Sequence, residues 1–310
     1  MCKGLKKNFI LFCIVLGLYK NFAEANDFFF SLTPKKYSLS ICAIFKDEAK
    51  YLKEWIEYHR IVGVDHFYLY NIGSEDRYVK VLNPYVKEGV VTLINWKDHI
   101  GDQEESRTFM WALGTQIPAY ENALKLRAAN ETKWLVFLDV NEFLVPPMAN
   151  SLIDILEKYD EYPGVTLECD FFDASKEDVF SKRRLVIETL KLVKSPELNP
   201  EKGVSKTIFK PELCKGFTWP PYKCLFAGVE TDVAVDKNEL RINYYANREV
   251  GVFYRKSKQS FDVDNRLLSH AQTAVLLQEG YEIEDQERAI YRFLPMLLTK
   301  MGYDSGWWGW

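Results

Sequence analysis

The chain has 310 residues, 47% of them hydrophobic and 15% aromatic, with a formal net charge of −4. That length and apolar content suffice for a large core in one elaborated domain, and the sequence carries no repeat or biased tract that would suggest a solenoid or a low-complexity chain. No basic stripe is clustered along it, which excludes a nucleic-acid surface.

Residues 1–25 open with Lys3, Lys6 and Lys7, continue with an apolar core from Phe9 to Leu18, and end on Ala23-Glu24-Ala25, where a signal peptidase could cut. This pattern predicts a signal peptide, a single domain over 26–310, and a protein of the secretory pathway or one that is exported. A retained anchor, with membrane association, is the alternative. The core is short for that role, because a span takes about 20 mainly apolar residues and Tyr19-Lys20-Asn21 interrupts it.

Ser38 to Phe45 reads as a near-continuous apolar strand, and Asp47 is placed to cap the next helix, where Tyr51, Leu52, Trp55, Ile56 and His59 recur at helical spacing. Strands follow at His66 to Tyr70 and Val90 to Trp96, then a helix from Gln116 to Ala129. Strands alternating with helices imply an α/β class with a largely parallel, doubly wound sheet. His59 and His66 read as core histidines, since a lone His on an apolar face is more often hydrogen-bonded structure than a ligand.

At Trp134 a five-residue apolar run begins that stops at Asp139-Val140-Asn141-Glu142. A buried strand ending in acids delivers them to the carboxyl edge of a sheet, where α/β proteins bind ligands, so a carboxylate there reads as a group for a cation or a ribose. A strand end with solvated acids is the plain alternative.

Past Pro146-Pro147 come a helix at Leu152 to Tyr159, a strand at Val165 to Leu167, and a loop-rich stretch to about Glu282. A final helix carries Ile290, Phe293, Leu294, Leu297 and Leu298, and the tail Trp307-Trp308-Gly309-Trp310 either docks on the domain or touches a membrane interface. Lys182-Arg183-Arg184 reads as a solvated basic run. Lys206 and Lys210 face either a phosphate or solvent on one strand face. Of six cysteines, Cys2 and Cys13 belong to the leader, and Cys42 and Cys169 sit in apolar runs as inert thiols. Cys214 and Cys224 would suit one disulfide in an exported protein, and no spacing is that of a zinc site.

Several segments together carry a resemblance. They are Lys46-Asp47-Glu48-Ala49 with Tyr51-Leu52 and Glu54 to His59, Gly63 to Asn71, Gln116 to Asn122, and the strand at Trp134. Ser205 to Pro211, Arg241 to Tyr245 and Ala289 to Pro295 extend it. In this order they resemble glycosyltransferase family 92, a likeness far more specific than any single motif. The resemblance implies a GT-A fold: a Rossmann-like, mainly parallel sheet flanked by helices, with a nucleotide half at about 37–147 and a loop-rich acceptor half at about 148–310. It implies an inverting hexosyltransferase that takes a UDP-hexose, galactose or a similar sugar, and a glycan acceptor.

A sugar diphosphate concentrates negative charge, so the resemblance also implies Mn²⁺ or Mg²⁺ bridging the phosphates, held by Asp139, Asn141 and Glu142. Lys46, Asp47, Glu48, Asn71, Gln116, Asp139 and Lys206 would bind the nucleotide sugar. Asp173 would be the general base, with Asp170 and Glu230 behind it, and Trp219 and Tyr222 could stack on sugar faces. Asn141 falls on the second acid of the family's Asp-x-Asp, and its amide oxygen carries no formal charge for a cation. Trp219-Pro220-Pro221-Tyr222 and Asn243-Tyr244-Tyr245 stand where the family has histidines. These departures favour binding over turnover and keep a second reading open, a catalytically silent glycan- or nucleotide-binding protein of the same fold.

Overall fold

In the computed structural model the residues described are 34–96, 112–174, 185–193, 205–218, 223–226, 231–245, 283–284 and 289–303. The signal segment, the basic run at 182–184, Trp219, Tyr222, Glu230 and the tryptophan tail lie outside them. By its contacts the chain divides into Met1–Lys36 and Tyr37–Trp310, and every element below belongs to the second.

Strand β1 (Tyr37–Phe45) is buried on both faces from Leu39 onward, as a parallel strand covered on each side must be. It pairs in parallel with β2 (His66–Asn71) and with β4 (Thr132–Phe137), and β3 (Val91–Asn95) extends the parallel run beyond β2. The chain goes from β1 outward to β2 and β3, then returns to the opposite side of β1 for β4. The strand order therefore reverses between β1 and β4, which opens a crevice at their carboxyl ends.

Helix α1 (Ala49–Ile61) buries Leu52, Trp55, Ile56, Tyr58 and His59 against this sheet. Asp47 does not cap it, contrary to expectation. Its backbone is left-handed (φ 56°) and its carboxylate accepts from the backbone N–H of Glu75 and Asp76. Asp76 caps α1 instead, taking the N–H of Ala49 at 2.7 Å. Short-range spacing could not reveal a cap supplied from 27 residues downstream. Helix α2 (Tyr78–Glu88) closes the β2 to β3 crossover and ends on left-handed Gly89. The expected helix at Gln116 to Ala129 is present but broken. A regular α3 (Ile117–Ala123) lies between wider π-turns at Ala112–Gln116 and Leu124–Ala128, and Pro118 lacks the N–H that would close an α-turn on Gly114.

Beyond β4 the sheet changes character. Strand β5 (Glu142–Val145) is followed by α4 (Leu152–Leu156) and then by the long β6 (Gly164–Ala174). Helix α5 (Val186–Thr189) leads into β7 (Leu190–Val193), and buried Glu54 of α1 accepts the N–H groups of Val186 and Ile187 at its start. Strand β8 (Ser205–Phe209) runs antiparallel to both β4 and β6. Gly164 is needed where these strands meet, because a Cβ there would come within 2.9 Å of Thr207 Cγ2 and 3.1 Å of the Ile208 carbonyl oxygen. Strands β9 (Cys214–Phe217) and β10 (Cys224–Phe226) form an antiparallel hairpin joined by a Cys214–Cys224 disulfide.

Short β11 (Val233–Ala234) joins β6, while β12 (Arg241–Tyr245) lies between β6, in parallel, and β5, antiparallel. Strand β13 (Ile283–Glu284) pairs with β7, and a 3₁₀ turn at Ala289–Phe293 leads into α6 (Leu294–Met301), which packs on α1. The result is an α/β fold with a parallel, helix-flanked half and a mixed half grown on its β4 edge.

Candidate active site

The site starts where β4 ends. Leu138 still donates to the Cys42 carbonyl of β1 at 3.1 Å, and the next three residues form a turn closed by Glu142 N–H on the Asp139 carbonyl at 3.0 Å. The backbone carbonyl of Asn141 accepts from Tyr245 N–H at 2.8 Å. Asp139 thus lies at the carboxyl end of a strand paired on both sides, beside the β1 to β4 reversal, and its side chain is 45% exposed.

Glu142 turns the other way. It is buried, and its Oε2 accepts from the Asp139 backbone N–H at 2.7 Å and from Lys206 Nζ at 2.5 Å. Lys206, the second residue of β8, is buried as well, with Nζ 3.7 Å from Asp139 Oδ2. The solvated-face alternative for Lys206 therefore fails, whereas Lys210 lies over the Trp134 ring and pairs with Asp160. Burial works against the Lys206 charge, but the Asp139 and Glu142 carboxylates outweigh it and hold the ammonium well above its usual range. Burial pushes the Glu142 carboxyl up, against the pull of Lys206, to about 7.

Strand β5 is held in place by α1. The Trp55 indole N–H donates to the Glu142 carbonyl at 2.8 Å, and Tyr58 OH donates to the Leu144 carbonyl at 3.0 Å. Leu144 N–H in turn donates to His59 Nε2 at 3.2 Å. Because that nitrogen accepts, the proton of neutral His59 is on Nδ1, facing the Trp55 carbonyl at 2.8 Å. Burial drops its pKa from 6.5 to about 3. His59 is thus a structural histidine that fills the open edge of β5, as His66 is between Gly89 and Thr92.

Asp139, Glu142 and Lys206 are brought into contact with one another, and Gln116 joins them through Tyr120. Its Nε2 donates to Tyr120 OH at 3.2 Å, and the buried Tyr120 ring stacks on Phe137. Burial and then the Asp139 charge raise the Tyr120 phenol, which places it in the same electrostatic neighbourhood. Lys46 and Asp47 follow the carboxyl end of β1, where both are exposed, and Glu48 is half-buried at the head of α1. Asn71 ends β2, but its amide is engaged by Tyr78 OH, Asn95 and the Ser74 N–H. Asp170 pairs with Arg241 at 3.2 Å. The backbone of Asp173 lies on β6 opposite Lys191, and its side chain is outside the described residues.

Sequence reasoning named Lys206 as a nucleotide-sugar residue but not its burial against Glu142, and it missed Tyr120 and the position of Tyr244. The burial of Lys206 could have been suspected, since it is in phase with core residue Ile208 on one strand face. Tyr120 lies four residues after Gln116, hence on the same helix face. Tyr244 stands opposite Glu142 in the β5–β12 register, so the tyrosine found where the resemblance has a histidine stands beside the buried carboxylate.

These residues do not fit a resident divalent ion. Asp139 offers an open carboxylate, but Glu142 already receives two donors on Oε2. No group of three or more His, Cys, Asp or Glu side chains that could hold a metal occurs among the described residues. An ion on Asp139 at about 2.1 Å would lie within about 6 Å of the ammonium. At that separation charges of +2 and +1 repel by roughly 5 kcal/mol at an effective dielectric near 20, which offsets about a third of the attraction that the same expression gives for one carboxylate at about 2.1 Å.

A sequence model of glycosyltransferase family 92 matches residues 35–279. The chain belongs to glycosyltransferase family 92. A family 92 protein of Oryza sativa subsp. japonica is 27% identical over 131 residues, which is 42% of this chain and 20% of the rice protein. Galactan beta-1,4-galactosyltransferase GALS3 of Arabidopsis thaliana is 34% identical over 120 residues, 38% of this chain and 22% of that enzyme. The matched stretches thus span about a fifth of these relatives. Among solved structures, S. aureus TarS 1–349 aligns with a TM-score of 0.39 and 11% identity over 84% of this chain and 72% of that one. With family membership shown and the parallel, helix-flanked half in place, the fold class is the α/β GT-A type.

Proposed function

We propose that this family 92 protein transfers a hexose from a UDP-linked sugar to a hydroxyl of a glycan, galactose being the first donor to test. The observation that carries the reading is Asp139, a half-exposed carboxylate at the carboxyl end of β4, beside the strand-order reversal where α/β sheets bind ligands. Family membership supports the transferase class, and the galactan galactosyltransferase relative supports the choice of sugar. The parallel half at about 37–147 would take the nucleotide and the mixed half at about 148–310 the acceptor.

In the proposed reaction the acceptor oxygen bonds to the anomeric carbon as the bond from that carbon to the UDP oxygen breaks, with inversion. UDP leaves with the electron pair and the acceptor proton passes to a carboxylate. Asp173 on β6 is the base we favour, because Asp170 is tied to Arg241. Lys46, Asp47 and Glu48 border the crevice from β1 and would contact the nucleotide from that side. The Cys214–Cys224 disulfide supports a secretory or exported protein, since such bonds persist in oxidising compartments.

The test is UDP release from UDP-galactose, UDP-glucose and their N-acetyl forms, with and without galactan oligosaccharides. Acceptor-dependent release from UDP-galactose, lost in Asp173→Asn, is the expected result. The amide of Asn141 and the tyrosine beside Glu142 favour the second reading, a silent nucleotide binder. UDP binding without release from any donor would establish that one, and absence of UDP binding would sink both.

A further inference from the structure

We propose that Lys206 is the resident cation of the Asp139 site, so that the protein takes no divalent ion there and Asp139 accepts hydroxyl donors of the bound nucleotide sugar. The first half stands on the geometry alone, and the second rests on the nucleotide-sugar reading above.

A divalent ion in a protein site is held by oxygens bearing negative charge, with water or substrate completing the shell. Here a fixed positive charge already stands between the two carboxylates and meets that of Glu142. Lys206 Nζ lies 2.5 Å from Glu142 Oε2 and 3.7 Å from Asp139 Oδ2, so one ammonium bridges the two carboxylates that flank the turn. Glu142 is also fixed by the Asp139 N–H, a bond that depends on the turn itself. The third residue of the motif, Asn141, has an amide side chain, and its backbone carbonyl serves Tyr245. Tyr244 fills the strand position opposite Glu142 with a phenol, a poor ligand for a hard cation while protonated.

The ammonium cannot drift away. It reaches the turn from β8, which is hydrogen-bonded between β4 and β6, and its side chain is 3% exposed. A lysine in such a place is a covalently attached monovalent cation whose occupancy does not depend on metal concentration. Asp139 remains 45% exposed with this positive charge behind it. An ionised carboxylate so held is an acceptor for neutral O–H donors, which need no cation between them and the carboxylate.

The experiment uses the whole chain. Mn²⁺ alone is titrated by electron paramagnetic resonance into the wild type, Lys206→Met and Asp139→Ala, and UDP is titrated by calorimetry in EDTA and in Mn²⁺. The wild type should hold no stoichiometric Mn²⁺, and its UDP affinity should agree within about threefold between the two buffers. Lys206→Met removes the positive charge behind Asp139 and should gain Mn²⁺ affinity by about tenfold or more.

If Lys206→Met fails to fold, the double variant Lys206→Met/Glu142→Gln, which leaves no unpaired buried charge, replaces it and should bind Mn²⁺ through Asp139 more tightly than the wild type. Stoichiometric Mn²⁺ in the wild type that is lost in Asp139→Ala would overturn the proposal, as would UDP affinity that rises tenfold with Mn²⁺. Failure of UDP to bind in either buffer would remove the nucleotide reading and the hydroxyl role of Asp139 with it. The Mn²⁺ titration would still decide the role of Lys206.

Discussion

The two halves of the sheet are built on different physical terms. In the parallel half, β1 and β2 are apolar or aromatic almost throughout and are buried on both faces, so stability comes from non-directional burial that tolerates exchange among similar side chains. In the mixed half, β5, β8 and β12 carry Glu142, Lys206, Arg241 and Asn243 into the interior. Buried polar groups must be matched one by one, so that half is specified by pairs rather than by composition. Asp139 stands on the border and takes its place from both halves, its strand from β1 and its turn from Glu142.

The largest expected effect follows from breaking one such pair. Lys206→Ala leaves Glu142 buried without its cation and should cost about 3–5 kcal/mol in denaturant unfolding. Lys210→Ala, one residue past the end of β8 and paired with the half-exposed Asp160, should cost under about 1 kcal/mol. The sign with pH is fixed. The folded-state pKa of Glu142 is already raised to about 7, and without the ammonium it rises further. The proton bound on folding is kept to higher pH in the variant than in the wild type, so the Lys206→Ala penalty should be nearly flat below about pH 6 and should grow as pH rises through about 7 to about 8. A penalty independent of pH would mean that Glu142 does not carry it.

The parallel half should show the opposite pH response through His59. Its folded pKa of about 3 lies below its ordinary 6.5, so its contribution is complete above the unfolded value and is lost as pH falls toward the folded one. Between about pH 7 and about pH 4.5 the loss should reach about 2–3 kcal/mol. His59→Gln removes that titration. The stability difference between wild type and variant, measured at both pH values, should shrink by this amount on acidification, and an unchanged difference would argue that His59 titrates normally.

The contrast between the halves also explains what could be read from the chain. Runs such as Ser38 to Phe45 and His66 to Tyr70 announce buried strands because every residue carries the signal, and the helices at Tyr51 and Leu152 follow from spacing alone. Asp139 was legible because the apolar run stops there. The buried pairing of Lys206 was not, since its partner Glu142 lies 64 residues away and a lysine in a short strand looks the same whether its end is wet or buried. The use of Trp55, Tyr58 and His59 to fill the hydrogen bonds of β5 was hidden for the same reason. Their spacing shows an apolar helix face, while the polar atom each carries finds its partner only in three dimensions.

A smaller change tests the junction. Trp55→Phe keeps most of the buried ring but removes the N–H that satisfies the Glu142 carbonyl, and an unsatisfied buried acceptor costs about 1–3 kcal/mol. Because that carbonyl belongs to the residue that orients Asp139, UDP affinity should fall as well. Stability lost with no change in UDP affinity would separate the helix contact from the site.

Asp139→Ala should have the smallest effect on the fold and the largest on function. Its side chain is 45% exposed, and the nearest cation keeps Glu142 as a closer partner at 2.5 Å. Screening at such a position limits the ion-pair contribution to about 1 kcal/mol or less, so the melting transition and circular dichroism should stay near those of the wild type. The same substitution removes the open carboxylate at the end of β4, the group on which the nucleotide-sugar reading depends, and calorimetric UDP binding should disappear. A folded Asp139→Ala protein with wild-type UDP affinity would sink the enzyme reading and the silent-binder reading together, because each places the nucleotide against this residue.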